Sequence, residues 1–337
     1  MLKLEKYKNS SYTFKIKYFN VHLNKDTAWI VKDYEVVCAF VNDTIDRDTI
    51  NILKTNAVKF LAMRCAGYNN VDLDAAYEAF NIARVPDYSA HAVAEHAIAL
   101  MMALNRKIYK AYNRTRDTNF SLDTLLGFDM YGKTAGVIGM GKIGKCLVNI
   151  LNGFGMNVLV YDKFKDYDFV KNHDIQYVEL NELYSRSDII SLYCPLTPES
   201  KYIINKASIK LMKTGVMIIN TSRGELINTK DLIRALKRKK VGFAGLDVYE
   251  EESEYFFEDF SNSMVNDDVL ARLLTFLNVL ITSHQAFFTE EVLHNIAEIT
   301  LNNIIDFYED KFLQNEICYQ CEEKDRICPK DRGERCF

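Results

Sequence analysis

TAGVIGMGKIGKCLVNILNGFGMNVLVYD, residues 134–162, is a strand, a turn, a helix and a second strand in one stretch. TAGVIG (134–139) and NVLVYD (157–162) are short, apolar and β-rich, while KIGKCLVNILNGF between them spaces its apolar residues for a helix. The joint is Gly139-Met140-Gly141-Lys142-Ile143-Gly144. A G-x-G-x-x-G that leaves a strand, opens a helix and is followed by an acid at the end of the next strand has the full context of a dinucleotide-binding turn. Gly139 permits the tight turn, Gly141 lets the backbone approach a pyrophosphate, and Gly144 lets helix and strand pack closely. Lys142 and Ile143 open the helix, whose N-terminus offers N–H groups and positive potential to phosphates. Asp162 is placed to accept the adenosine ribose hydroxyls and to repel a 2′-phosphate. That favours NAD over NADP, with Lys163 and Lys165 weighing the other way. A glycine turn that binds nothing is the alternative, and the three-part context disfavours it.

The alternation continues through DIISLY (188–193), GVMIINT (215–221), GFAGLDV (242–248) and NVLITS (278–283), with helical stretches such as TKDLIRALKRKK between them. Such alternation implies βαβ units with right-handed crossovers, hence a doubly wound parallel sheet with helices on both faces. YEVVCAFV (34–41) and VKFLAMRC (58–65) carry a weaker version of the same signal, consistent with a second, smaller α/β domain. HAVAEHAIALMMALNRKIYKAYNRTR (91–116) reads as one long bridging helix, and a final helix over about 289–313 returns to the first domain. The expected division is residues 1–100 with 300–316, then 101–299, then a tail from 317 to 337.

The chain has 337 residues, enough for two domains, with 48% hydrophobic and 26% charged residues. Its net charge of −4 gives no electrostatic reason to expect nucleic acid. The basic run Lys237 to Lys240 fits the solvated end of a helix. No stretch is long and apolar enough to span a bilayer, and the first residues lack the apolar core of a signal peptide, so a cytoplasmic protein is expected. Of the eight cysteines, Cys38, Cys65, Cys146 and Cys194 sit in apolar surroundings and read as reduced core residues.

In a doubly wound sheet, ligands bind outside the carboxyl ends of the strands. Arg223 follows GVMIINT, Glu252 lies in DVYEEE after the next strand, and His284 ends NVLITSH. A cation, an acid and an imidazole beside a nicotinamide suit reversible hydride transfer. Arg223 would grip a substrate carboxylate and polarise the neighbouring carbonyl. His284 would supply the proton, and an acid would hold its ring. On the residues alone Glu250 and Glu251 compete with Glu252, and Arg223 has the bland alternative of capping a loop or pairing with an acid. His284 could likewise be a satisfied histidine at a domain boundary. His91 and His96, on a helical pattern, fit packing or capping better than catalysis.

The chain resembles the D-isomer-specific 2-hydroxyacid dehydrogenase family, and within it the bacterial fermentative D-lactate dehydrogenases. The matching stretches are RCAGYNNVDLDAA (64–76), RVPDYSAHAVAEHA (84–97), NRTRDTNFSL (113–122), YGKTAGVIGMGKIG (131–144), SLYCPLTPES (191–200), INTSRGELI (219–227), LDVYEEE (246–252) and SHQAFFT (283–289). The resemblance implies a Rossmann NAD-binding domain and a smaller flavodoxin-like substrate domain that closes over it. It implies subunits paired through the cofactor domains as a homodimer or homotetramer. It assigns the catalytic triad to Arg223, Glu252 and His284, which settles the choice among the three glutamates. It places Asp247 near the nicotinamide carboxamide, Cys194 and Pro195 in the adenine pocket wall, and Thr221 and Ser222 at the cofactor. Ala66, Gly67, Tyr88 and Phe287, together with Arg223, are assigned to a small keto acid. Pyruvate is the substrate implied, with a larger 2-keto acid as the enzymatic alternative. A nicotinamide-sensing binding protein, as in the family's corepressors, is the alternative of another class.

Two stretches depart from the family. MLKLEKYKNSS is polar where a first apolar strand is expected, and YTFKIKYF (12–19) reads as the family's second strand, so the smaller domain is expected to be weakened. The tail carries Cys318, Cys321, Cys328 and Cys336 at a spacing, C-x2-C-x6-C-x7-C, that matches neither a common zinc finger nor a ferredoxin run. A structural zinc or iron–sulfur site and a thiol-rich tail without metal both stay open, and no catalytic metal is called for.

Overall fold

The computed structural model describes residues 13–77, 79–87, 89–171, 173–252 and 255–317. Tyr88 and the four tail cysteines lie outside the described residues. The chain divides into two compact units, one holding the described residues up to 87 and from 289 onward, the other holding 89–288. The divisions fall at helix starts, so α3 (Ala90–Arg106) and α11 (Glu290–Tyr308) each lie whole within one unit. No helix among the described residues is long and apolar enough to cross a membrane.

The larger unit is a seven-stranded, wholly parallel sheet in the order β10-β9-β8-β7-β4-β5-β6. Its strands are β4 (Thr134–Ile138), β5 (Asn157–Tyr161), β6 (Ile175–Tyr177), β7 (Ile189–Leu192), β8 (Val216–Asn220), β9 (Val241–Leu246) and β10 (Val279–Ile281). The chain order reverses between β4 and β7, which makes that junction the topological switch point where such sheets bind ligands. Central strands are buried on both faces, and β8 shows why an unbroken apolar run is required. Val216 and Ile218 join the core under α9 (Thr229–Lys237) and α10 (Asp268–Leu274), while Met217 and Ile219 join the core under α3 and α5 (Lys142–Gly153).

Register decides where the site forms. Tyr161 pairs with Ile138, Ile138 with Leu192, Leu192 with Asn220, Asn220 with Leu246, and Leu246 with Ile281. Six strands therefore end on one line, and the residues just beyond them emerge along one edge.

The smaller unit carries a parallel sheet of β1 (Val36–Ala39), β2 (Phe60–Met63) and β3 (Asn81–Ala83). The strand expected over 12–19 does not form among the described residues, where 13–19 have no ladder partner. That stretch is mostly exposed, and only Phe14 packs inward, against a core that includes Phe60, Ala83 and Ile304. The single helix expected over 91–116 is two, α3 and α4 (Ile108–Arg116), because Lys107 adopts a left-handed backbone at φ 50°. The buried Asn105 beside this break accepts from Phe128 N at 2.8 Å and donates to Phe128 O at 2.7 Å, which ties the following segment down.

Candidate active site

The turn after β4 has the geometry its glycines require. Gly139 sits at φ +102°, and a Cβ there would fall 2.5 Å from the backbone of Tyr193 and Cys194. A Cβ on Gly144 would fall 2.1 Å from Gly139 O, so the helix can start this close to the strand only without a side chain. Gly141 faces open space instead, and no side chain caps the N-terminus of α5. An uncapped N-terminus of a twelve-residue helix, beside a glycine with room above it, fits a pyrophosphate. Asp162, just past β5, is held by Met140 N at 2.6 Å and Phe164 N at 2.8 Å, one on each carboxylate oxygen. Each oxygen keeps a lone pair for a hydroxyl. Lys163 lies 3.7 Å from Glu199, whose charge offsets it.

Across the switch point, Ser222 Oγ donates to Cys194 O at 3.1 Å and joins the loop after β8 to the loop after β7. Thr221 is buried beside it, and Ser200 Oγ donates to Pro195 O at 2.6 Å. Burial pushes the Cys194 thiol up to about 11, so it stays protonated in the ordinary pH range. Cys38, Cys65, Cys146 and Cys194 form no disulfide, but of these only Cys65 is a core residue: Cys146 and Cys194 are half-buried and Cys38 is exposed.

Asn220, the last residue of β8, shapes the turn that presents Arg223. Its side chain accepts from Ser222 N at 3.1 Å and donates to Arg223 O at 2.8 Å. Gly224 then passes so near the next loop that a Cβ would lie 2.1 Å from the carbonyl of Tyr249. The half-buried Arg223 guanidinium donates to Ser222 O at 2.7 Å and, among the described residues, meets no carboxylate. Of the three glutamates, Glu250 accepts from Thr229 N at 2.6 Å and from Tyr202 OH at 3.0 Å, which commits it to the start of α9. Glu251 is exposed. Glu252 accepts from Tyr249 N at 3.0 Å and lies 2.8 Å from His284 Nδ1. A carboxylate only accepts, so this contact fixes the proton on Nδ1 and turns Nε2 away from Glu252.

His284 has a left-handed backbone at φ 51°, an uncommon conformation for a residue with a side chain. Asp247 holds it there. The Asp247 carbonyl accepts from His284 N at 2.7 Å, and its carboxylate accepts from Gln285 N and Ala286 N, both at 2.9 Å. Asp247 is fully buried. Burial alone would raise its pKa, but hydrogen bonds from His96, Thr282, Ala286 and Gln285 outweigh it and hold the carboxyl below its usual value.

The structure thus gathers Arg223, Glu252, His284 and Asp247 in one unit, with Phe287 half-buried just beyond. Ala66 and Gly67 belong to the other unit, in the loop after β2. There Arg84 donates to Ala66 O at 2.7 Å and Cys65 Sγ lies 3.2 Å from Gly67 O. Sequence reasoning assigned His96 to packing or capping and did not single out Thr282; their side chains meet at 3.1 Å beside Asp247. Their signals were faint: a histidine one turn before Leu100 on an apolar helix face, and a threonine at a strand end.

Residues 98–286 match the model of the D-isomer specific 2-hydroxyacid dehydrogenase, NAD binding domain. A 2-hydroxyacid dehydrogenase homolog of Haemophilus influenzae is 52% identical over 308 residues, covering 91% of this chain and 93% of its own. The D-lactate dehydrogenase of Escherichia coli is 50% identical over 310 residues, covering 92% and 94%. The apo-structure of D-lactate dehydrogenase from Escherichia coli superimposes with a TM-score of 0.81 at 49% identity, over 89% of this chain and 90% of that one. A doubly wound sheet, a glycine turn built for a dinucleotide and these matches agree: the chain belongs to the D-isomer-specific 2-hydroxyacid dehydrogenase family and carries its NAD-binding domain.

Proposed function

We propose that the protein is a cytoplasmic NAD-dependent D-lactate dehydrogenase that reduces pyruvate. The observation that carries this reading is the Glu252–His284 pair, 2.8 Å apart, on the same unit as an arginine that meets no carboxylate among the described residues. NADH, when bound, supplies the hydride. Arg223 grips the acid's carboxylate through its planar fork and draws electron density from the neighbouring carbonyl. His284 Nε2 gives its proton to the carbonyl oxygen as charge builds there. Glu252 keeps the proton on Nδ1 and offsets the positive charge the ring carries while both nitrogens hold protons. Gly139, Gly141, Lys142, Ile143 and Gly144 hold the pyrophosphate, and Asp162 the ribose. By the resemblance, Cys194, Pro195, Thr221 and Ser222 would line the cofactor, and Asp247 would lie near the carboxamide. Ala66, Gly67, Tyr88 and Phe287 complete the substrate set, an assignment carried by the resemblance.

The test is the decay of NADH absorbance with purified protein, comparing pyruvate with 2-ketobutyrate, phenylpyruvate and hydroxypyruvate. Fast oxidation that prefers pyruvate is expected. Preference for phenylpyruvate would move the substrate to a larger keto acid, and binding of NADH without any turnover would favour a sensing role. Asp162→Ala is expected to weaken NADH about tenfold or more and NADPH far less, because two hydroxyl contacts and a repulsion vanish together. Equal loss for both nucleotides, read by the fluorescence of the bound cofactor, would remove Asp162 as the ribose partner.

We further propose a homodimer paired through the cofactor units. Ile108 and Tyr112 on α4, with Phe120, Leu122 and Leu126 after it, are exposed, Leu122 at 82% and Leu126 at 88%. Large apolar side chains gathered in one segment mark an interaction surface. Leu126→Glu should turn a dimer into a monomer in sedimentation velocity, while a variant that still sediments as the wild type would place the interface elsewhere.

A further inference from the structure

We propose that His96 is a positioning residue of the reaction: by donating from Nε2 to Thr282 and Asp247, it fixes the buried carboxylate that holds the His284 loop. The proposal rests on the reading of His284 as the proton donor, and it concerns a residue assigned to neither substrate nor cofactor.

The placement follows from one helix face. His96, Leu100 and Leu104 recur at four-residue intervals on α3 and so lie in one row along it. Leu100 and Leu104 are buried on β9 at Gly245, where a Cβ would come within 3.2 Å of both. Without that Cβ the helix settles directly on the strand. Asp247, two residues after Gly245, continues the alternation on the same face, under His96. His96 Nε2 thereby stands 3.1 Å from Thr282 Oγ1 and 3.4 Å from Asp247 Oδ1.

Proton accounting fixes the direction of these contacts. The Thr282 hydroxyl spends its one hydrogen on Asp247 Oδ1, at 2.5 Å. Its oxygen and the carboxylate are then both acceptors, so His96 must carry a proton on Nε2. The chain runs from His96 N–H to Thr282 O–H to the Asp247 carboxylate, and from there to Gln285 N and Ala286 N. The Asp247 carbonyl takes His284 N itself. Removing the first donor leaves a buried carboxylate short of a partner at the point where the left-handed His284 is held. The two histidines are also assigned opposite protons when neutral, Nε2 for His96 and Nδ1 for His284.

The test uses the full chain labelled with 15N-histidine, with His96→Gln and His284→Gln spectra assigning the two rings. At a pH where both rings are neutral, His96 is expected to show the Nε2–H pattern and His284 the Nδ1–H pattern. His96→Ala should shift the His284 ring signals, and His96→Gln, which keeps an N–H donor, should leave them nearly in place. In turnover, His96→Ala should lower kcat about tenfold with the KM for pyruvate within about twofold, and His96→Gln should recover most of it. Thr282→Val should cause a comparable fall, and the double variant should be no worse than the weaker single one, since both cut one chain. A proton on His96 Nδ1, His284 signals indifferent to His96→Ala, or fully additive losses would overturn the proposal. The ring spectra need no turnover, so a wild-type protein that fails to oxidise NADH would overturn the dehydrogenase reading while His96 is still decided by the spectra.

Discussion

Replacing Arg223 with Gln is expected to lower kcat/KM for pyruvate about a thousandfold while NADH affinity stays within about threefold. The size follows from what the side chain does and from what it leaves undisturbed. Truncating one partner of a desolvated charge pair costs about 2–5 kcal/mol, and each 1.36 kcal/mol is about a factor of ten in rate. Among the described residues the guanidinium makes one hydrogen bond, to Ser222 O, and the turn beneath it is held by the Asn220 side chain, which the variant keeps. Fold and cofactor site should therefore survive. Arg223→Lys sharpens the test, because it keeps the charge and loses the planar fork. It should retain more activity than Gln and far less than the wild type. If Gln also abolished NADH binding, Arg223 would belong to the cofactor site and the assignment to the substrate carboxylate would fail.

The parts of the fold that were legible are those where one residue type has one physical use. Six strand candidates after residue 134 read directly from the sequence, because each central strand is an apolar run between turn residues. β3 and β6, three residues each, were passed over: NIA and IQY carry too few side chains for alternation to show. The break at Lys107 was hidden for a different reason. Lysine is a good helix former with no preference for a left-handed backbone, so its residue type gives no sign of the φ it adopts there. The 12–19 stretch failed the opposite way, since alternation predicts a strand only where a partner edge exists to pair with. In the site, Arg223 and His284 were visible as a cation and an imidazole at strand ends. The choice among Glu250, Glu251 and Glu252 needed the resemblance, and the hydrogen bonds now give it a cause, because Glu250 is engaged at the start of α9. His96 was hidden because its partners lie about 150 and 190 residues away in sequence, joined only by the packing of α3 on Gly245.

Asp247→Asn should be the most destabilising single change at the site. The carboxylate offers acceptors to Thr282, Gln285, Ala286 and His96 at once, from a fully buried position. An amide has one acceptor oxygen and brings an NH2 that must face a donor already in place. Leaving buried donors unpaired costs about 1–3 kcal/mol each, so a loss of about 3 kcal/mol at pH 7 is expected. In a unit of this size that lowers the melting temperature by roughly 6–12 °C. Turnover should fall as well, because His284 loses the contacts that hold its left-handed backbone. The pH dependence separates charge from shape. The Asp247 pKa lies below its usual value of 3.8 in the folded protein, so its ionisation stabilises the fold fully above about pH 4. That contribution fades as the pH falls through the folded pKa. The gap between wild type and variant, read from urea unfolding, should therefore be constant from pH 7 to 5 and narrow below about pH 4. Some gap persists at acid pH, because the misplaced NH2 does not titrate. A gap that widened on acidification would mean that Asp247 is protonated in the folded protein, and the charge-based account of the His284 loop would fall with it.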